Sequence, residues 1–269
     1  MKIPIYQVDA FTEKLFGGNP AAVCILEQWI DEQLMQSIAS ENNLAETAFI
    51  VPKDDNNYEI RWFTPEAEVD LCGHATLASA HVLFNHLKFK GNKIGFFSKY
   101  SGWLFVNRHG DELQLDFPQD NLVQVSTPEL FIEAFGIAPL ECFLGKTDYL
   151  LIFNSQEEIQ NIYPDLNLIT KVGKRGVIIS AKGNDVDFVS RFFAPQIGIP
   201  EDPVTGSAHT SLAPYWSKKS GKTKLKALQL SKRGGTLECE IYKDRVLISG
   251  KAITYLVGEI DLKNAYDKL

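Results

Sequence analysis

Short apolar runs bounded by glycine, aspartate, asparagine and proline fill most of the chain, and a helical period appears in only a few places. The segments Tyr58-Glu59-Ile60-Arg61-Trp62-Phe63 and Asp187-Phe188-Val189-Ser190-Arg191-Phe192-Phe193 are rich in aromatic and β-branched residues and read as strands. Pro65 and Pro195 close them, because proline supplies no donor to a sheet ladder. Further strand-like runs fall at 47–51, 104–107, 113–117, 149–153, 176–180, 237–241 and 245–249. Turn residues between neighbours, as in Arg108-His109-Gly110-Asp111 and Tyr242-Lys243-Asp244, favour hairpins and therefore antiparallel pairing. Helical spacing appears at 31–42, with Leu34, Met35, Ile38 and Ala39 on one face and Asp31 as N-cap. It appears again at 75–87, through Leu77, Ala80, Phe84 and Leu87. A second run of small residues opens after Gly206, where Pro214 should kink or shorten the helix.

This order of elements occurs twice. Arg-Trp-Phe-Thr-Pro at 61–65 is matched by Arg-Phe-Phe-Ala-Pro at 191–195. The first is followed by Asp70-Leu71-Cys72-Gly73-His74-Ala75-Thr76, the second by Asp202-Pro203-Val204-Thr205-Gly206-Ser207-Ala208-His209. The copies lie about half a chain length apart, so the chain reads as two similar halves. The expected class is α+β, each half a mostly antiparallel sheet with a central helix. An N-terminal half, 1–118, would carry Glu46 and the Cys72-Gly73-His74 turn. A C-terminal half, 119–269, would carry Asp202 and the Gly206-Ser207 turn, with the join near 118–128 and the last residues packing back on the first half.

A length of 269 residues fits one to two domains at roughly 150 residues each. Hydrophobic content of 45% and charged content of 23% are those of a globular protein and exclude disordered, coiled-coil and collagen-like chains. No apolar run reaches the roughly 18 residues of a membrane span, and the N-terminus has no signal-type stretch, so a cytoplasmic protein without a membrane partner is expected. Four scattered cysteines without a CxxC read as reduced, buried thiols. A net charge of −7 argues against nucleic acid as a partner. The five lysines within 218–226 are the local exception and read as a solvated loop.

Candidate chemistry centres on the two glycine turns. A helix opened by glycine presents free backbone N–H groups and a positive dipole end, and two of them facing across a domain cleft would hold a carboxylate. The alternative is that the glycines only permit tight turns. Glu46, within Asn43-Leu44-Ala45-Glu46-Thr47-Ala48-Phe49, stands among apolar residues at a strand entry, an environment that suits a general acid/base, although an exposed strand-end glutamate reads the same way. Gly145-Lys146-Thr147 and Gly221-Lys222-Thr223 end like P-loops but lack the upstream glycine. Cys72, His74, His81 and His86 lack the paired spacing of a structural zinc site, so no metal is expected. No GxGxxG marks a dinucleotide fold and no GxSxG frames Ser207, which leaves a Ser207–His74–Asp202 hydrolase as an alternative by composition alone.

Several blocks in order carry a family resemblance: Val8-Asp9-Ala10-Phe11 with Gly18-Asn19-Pro20, Asn43-Leu44-Ala45-Glu46-Thr47, Arg61-Trp62-Phe63-Thr64-Pro65 with Asp70 to Thr76, and Glu201-Asp202-Pro203-Val204-Thr205-Gly206-Ser207-Ala208. Along most of its length the chain resembles the PhzF family of phenazine-biosynthesis-like isomerases, which share the duplicated fold of diaminopimelate epimerase. The resemblance implies proton transfer without metal or cofactor, on a small carboxylate-bearing substrate held between the halves, in a chain that often forms homodimers. It places the acid/base on Glu46 and further site residues on His74, Asp202 and Ser207. Gly73 and Gly206 would lend N–H groups to the substrate carboxylate. Asn19 matches a substrate-contacting position of the related epimerases. Those epimerases use two cysteines as opposed bases; here Cys72 keeps the first position and Thr205 replaces the second. A threonine hydroxyl is too weak an acid to act as a thiolate-like base, so a two-thiol mechanism is disfavoured and Cys72 is expected to be an inert buried thiol. A binding protein that kept the cleft and lost turnover is the competing class.

Overall fold

The computed structural model describes residues 1–263. The chain divides into two compact units, Met1–Asp116 with the residues from Gly250 on, and Phe117–Ser249. The first runs β1 (Lys2–Ala10), β2 (Asn19–Ile25), α1 (Glu32–Asn42), β3 (Glu46–Pro52), β4 (Asn57–Phe63), β5 (Glu68–Val69), α2 (Gly73–Asn85), β6 (Lys93–Ser98), β7 (Gly102–His109) and β8 (Glu112–Pro118). The second holds β9 (Val123–Val125), α3 (Glu129–Phe135), β10 (Glu141–Leu144), β11 (Asp148–Ile152), α4 (Gln156–Asn161), α5 (Leu166–Ile169), β12 (Gly176–Lys182), β13 (Phe188–Phe193), α6 (His209–Ser220), β14 (Lys224–Gln229), β15 (Gly235–Tyr242) and β16 (Arg245–Gly250). The closing strand β17 (Ala252–Asp261) lies antiparallel to β1 in the first unit. Among the described residues no helix is long and apolar enough to cross a membrane.

The class is α+β and the two halves repeat one another strand for strand. In the first, β2 and β3 are parallel, β3 and β4 antiparallel, β4 and β6 parallel, and β6–β7–β8 an antiparallel meander. In the second, β11 and β12 are parallel, β12 and β13 antiparallel, β13 and β14 parallel, and β14–β15–β16 antiparallel. Each half is thus a mixed sheet. The hairpin turns account for the antiparallel pairs, and the parallel pairs arise where a helix intervenes between two strands, as parallel connections require.

The register aligns the halves residue by residue. Thr47 stands opposite Phe63 as Val177 stands opposite Phe193, and Ala21 opposite Glu46 as Asp148 opposite Gly176. Glu46 therefore has Gly176 as its counterpart. A Cβ on Gly176 would lie 2.5 Å from the Phe192 ring, so no side chain fits there without displacing it.

α2 is buried on nearly every side and touches β1, β2, β3, β7 and β17. Its Ala75, Ala78, Ser79 and Ala80 let strands come close, and Ser79 and Thr76 satisfy their hydroxyls on the carbonyls of Ala75 and Cys72. α1 is one-faced, capped by Asp31, and seats Leu34, Met35, Ile38 and Ala39 on Phe49 and Phe63. Gly18, at φ +62 with its missing Cβ only 2.1 Å from the Ala10 carbonyl oxygen, is the turn that delivers Asn19 to the start of β2. The helix is not shortened at Pro214, since α6 continues through it to Ser220. Pro214 cannot donate to the carbonyl of Thr210, and the backbone N–H of Asp120 takes that carbonyl instead at 3.2 Å.

The duplicated arginines are structural in both units. Arg61 meets Glu68 and Glu32 and stacks over Phe63, while Arg191 meets Glu201 and stacks over Phe193. Arg191 is 9% exposed and also donates to the carbonyls of Ile159 and Ile162 at the end of α4. Truncating it strands a carboxylate and two carbonyls, whereas the acids around Arg61 can be rehydrated. We expect Arg191→Met to cost about 3 kcal/mol and Arg61→Met about 1 kcal/mol, read as shifts in the urea midpoint. An Arg191 loss no larger than that at Arg61 would contradict this ranking.

Candidate functional site

Glu46 is the first residue of β3, and Cys72, Gly73 and His74 form the start of α2, which rests on β3. Cys72 occupies the N-cap position with extended backbone and no side-chain cap, and Gly73 begins the helix. Neither Gly73 nor Gly206 has a positive φ, so a tight left-handed turn is not what selects glycine at these positions. At Gly73 the helix begins with a residue that carries no side chain.

The His74 ring lies between two partners. Its Nδ1 is 3.5 Å from Cys72 Sγ and its Nε2 is 3.1 Å from Glu46 Oε2. The Glu46 approach is an ion-pair contact that misses hydrogen-bond angles, so Oε2 and Nε2 are buried polar atoms without a hydrogen bond. Glu46 is 8% exposed and His74 6%. Burial by itself would lower the His74 pKa; the negative charge available from Cys72 and Glu46 outweighs it and raises it well above the usual imidazole value. Burial, reinforced by Glu46, pushes the Cys72 thiol upward, while the neighbouring imidazole pulls it down by less. This is an acid/base pair with a thiol behind it. Cys72 is buried as expected, but it faces the imidazole rather than inert core.

Asn19, fully buried at the head of β2, faces Ala10 across the β1–β2 ladder. Asp202 and Ser207 belong to the second unit. There the turn before α6 is pinned by a residue that no motif signalled: Gln229 on β14 accepts from the Thr205 N–H and donates to the Asp202 carbonyl. Thr205, the counterpart of Cys72, donates its hydroxyl to Asp202 Oδ2 at 2.5 Å. Ser207 accepts from Arg175 at 3.1 Å, and Arg175 is gripped through two nitrogens by the buried Asp148. Burial opposes the Arg175 charge, and the carboxylates of Asp148, Asp202 and Asp120 more than offset it. Ser207 thus meets a guanidinium where a serine nucleophile needs an imidazole. The imidazole nearest in sequence, His209, donates from Nδ1 to the Thr205 carbonyl at 2.8 Å. Arg175 and Asp148 escaped sequence reasoning because isolated charged residues at strand starts carry no pattern.

The basic segment at 218–226 is not a free loop. It spans the end of α6, Gly221 and the start of β14, and Lys219, Lys222, Lys224 and Lys226 pair with Glu141, Asp187, Glu240 and Glu238.

These features define a duplicated α+β protein whose first half carries a buried carboxylate–imidazole pair at the head of its central helix. The chain belongs to the phenazine biosynthesis-like protein family, PhzC-PhzF, whose profile matches residues 8–258. It is 49% identical to an uncharacterized isomerase of Pseudomonas aeruginosa, over 97% of this chain and 100% of that protein. A crystal structure of a phenazine biosynthesis protein of the PhzF family from Enterococcus faecalis superposes with a TM-score of 0.94 at 46% identity, covering 97% of this chain and 100% of that one. A probable proline racemase from Agrobacterium radiobacter, at 11% identity and a TM-score of 0.66 over 99% of this chain and 94% of that one, shares the fold.

His209 offers a test of how tightly the second turn is built. Burial pushes it down to about 4, against a smaller upward pull from its bond to Thr205. Between the ordinary imidazole value near 6.5 and that value, only the unfolded chain takes up the proton. Its share of stability is therefore intact above pH 6.5 and is lost as pH falls to about 4, a loss of about 3 kcal/mol. In His209→Asn, which keeps a donor for the Thr205 carbonyl, the fall in urea stability between those pH values should be smaller by about that amount. An unchanged fall would mean the imidazole titrates normally.

Proposed function

We propose that this chain is an isomerase that moves a proton on carbon of a small carboxylate-bearing substrate, without metal or cofactor, with Glu46 as the acid/base. The observation that carries the reading is the buried contact of Glu46 with His74 in a chain of this family. A carboxylate facing an imidazolium can take a proton from carbon and return it while the neighbouring cation balances the charge as it changes. His74 would hold that charge and protonate or orient a substrate heteroatom. The N–H groups that open α2 offer donors to an anionic group, as does the Ser207–Arg175 pair of the second unit. Asp202 would orient a substrate amine or hydroxyl, and Asn19 a polar group at the head of β2.

The comparison of the halves favours one base over two. The counterpart of Glu46 is Gly176, packed under Phe192, and the counterpart of Cys72 is Thr205, whose proton is committed to Asp202. A single base suits a shift in which a proton leaves and returns on the same face. Two opposed bases, as inversion at carbon requires, have no second candidate in the duplicated positions.

The test is deuterium incorporation from D₂O into a panel of small amino and hydroxy carboxylates, with wild type beside Glu46→Gln. Exchange at carbon should fall on the order of 10²–10⁴-fold in the variant while substrate binding is retained. Full exchange by Glu46→Gln would remove Glu46 from the mechanism. Saturable binding by wild type with no exchange into any compound would favour a binding protein.

A further inference from the structure

One donor atom from each of Glu46, Cys72 and His74 lies within 4.8 Å of the other two, and all three residues are buried. We propose that this trio is a binding site for zinc, and that zinc bound there shuts off proton transfer by occupying the acid/base itself.

The donor set carries the assignment. Thiolate, imidazole and carboxylate are the three side-chain ligand types that zinc takes, and three protein ligands leave its fourth position for water or a substrate oxygen. With bonds of about 2.3 Å to sulfur and 2.0–2.1 Å to nitrogen and oxygen, the donor–donor edges of a tetrahedral site are about 3.3–3.7 Å. The Cys72 Sγ to His74 Nδ1 distance of 3.5 Å is already such an edge. Glu46, now at Nε2, must bring an oxygen to the Nδ1 side of the ring by rotating its own side chain. Nothing holds Oε2 back through a hydrogen bond, for both it and His74 Nε2 are buried polar atoms without one. The backbone is set for the task. Cys72 and His74 flank the first residue of α2, and Glu46 opens β3 against which α2 packs, so no loop has to order.

Sequence spacing could not show this site. Cys72-x-His74 is half a motif, and the third ligand stands in a different strand with no fixed distance along the chain. On binding, Cys72 loses its thiol proton and His74 the proton on its coordinating nitrogen, both to solvent, and no redox change occurs. The remaining 11% and 7% side-chain exposure of Glu46 and His74 is the side from which an ion enters.

The experiment is competition for zinc between the metal-stripped full chain and a chromophoric chelator, without substrate. It is repeated with cobalt(II), whose thiolate charge-transfer absorption reports the Cys72 bond. Wild type should take up one zinc per chain and show the cobalt–thiolate band. Cys72→Ser, which preserves volume, should bind at least about 100-fold more weakly and lose the band, since removing a ligand exceeds the 10–100-fold cost of disturbing an outer partner. Glu46→Gln should weaken binding while keeping the band. No stoichiometric uptake by wild type, or uptake unchanged in Cys72→Ser, would overturn the site. Because binding is read without substrate, this result stands apart from the isomerase reading. Zinc inhibition of the D₂O exchange then tests the shut-off, and exchange that persists in the zinc-saturated protein would overturn it.

Discussion

The structure of the first unit is organised around a carboxylate and an imidazole that share a dry space. Placing Glu46 and His74 there is unfavourable for each alone, because buried charge is costly unless paired. The pairing depends on two separate backbone elements being fixed to within a fraction of an ångström. β3 is held on both flanks, parallel to β2 and antiparallel to β4, and its first residue is paired with Ala21 of β2. α2 is surrounded by strands and padded with alanine and serine, so its first turn is equally fixed. Fixed elements on both sides hold Glu46 and His74 in contact at 3.1 Å.

The duplication separates scaffold from chemistry. What is kept in both halves is the strand order, the stacked arginine with its glutamate, and the helix that follows a glycine turn. What differs is each residue at the turn and at the head of the third strand: Glu46 against Gly176, Cys72 against Thr205, His74 against Ser207. The first half holds its titratable groups together in the dry. The second half instead builds a hydroxyl and guanidinium network around Thr205, Ser207 and Arg175, braced by Asp148 and Gln229. On the proposed reading, proton chemistry and polar recognition fall to different copies of one fold.

Much of this was legible in the chain. The repeated Arg-aromatic-Phe-x-Pro blocks predicted the duplication, and alternating aromatic and β-branched runs predicted most of the inner strands, because both signals are local. Three features were not local. Pro214 reads as a helix breaker, yet the carbonyl it orphans is taken by Asp120, a partner far away in sequence. The lysines near Gly221 read as a solvated loop, yet acidic residues from two strands, β10 and β15, and a connecting turn neutralise them. Glu46 by its neighbours alone could have been any strand-end glutamate; its burial against His74 is decided by how α2 lies on β3. The strands β1, β2, β5, β6, β9, β10, β14 and β17 also passed unseen, β5 and β9 being only two and three residues long.

The thiol beside the pair sharpens what the first unit can do. Burial and the neighbouring Glu46 push the Cys72 thiol upward, and the charge available from Cys72 and Glu46 raises His74 against its own burial. On the proposed reading, proton transfer to Glu46 changes the charge of the site by one, with His74 as the counterweight. The zinc proposed above would compete for the same lone pairs. Cys72, which that reading gives no role as a base, would supply it with a further ligand.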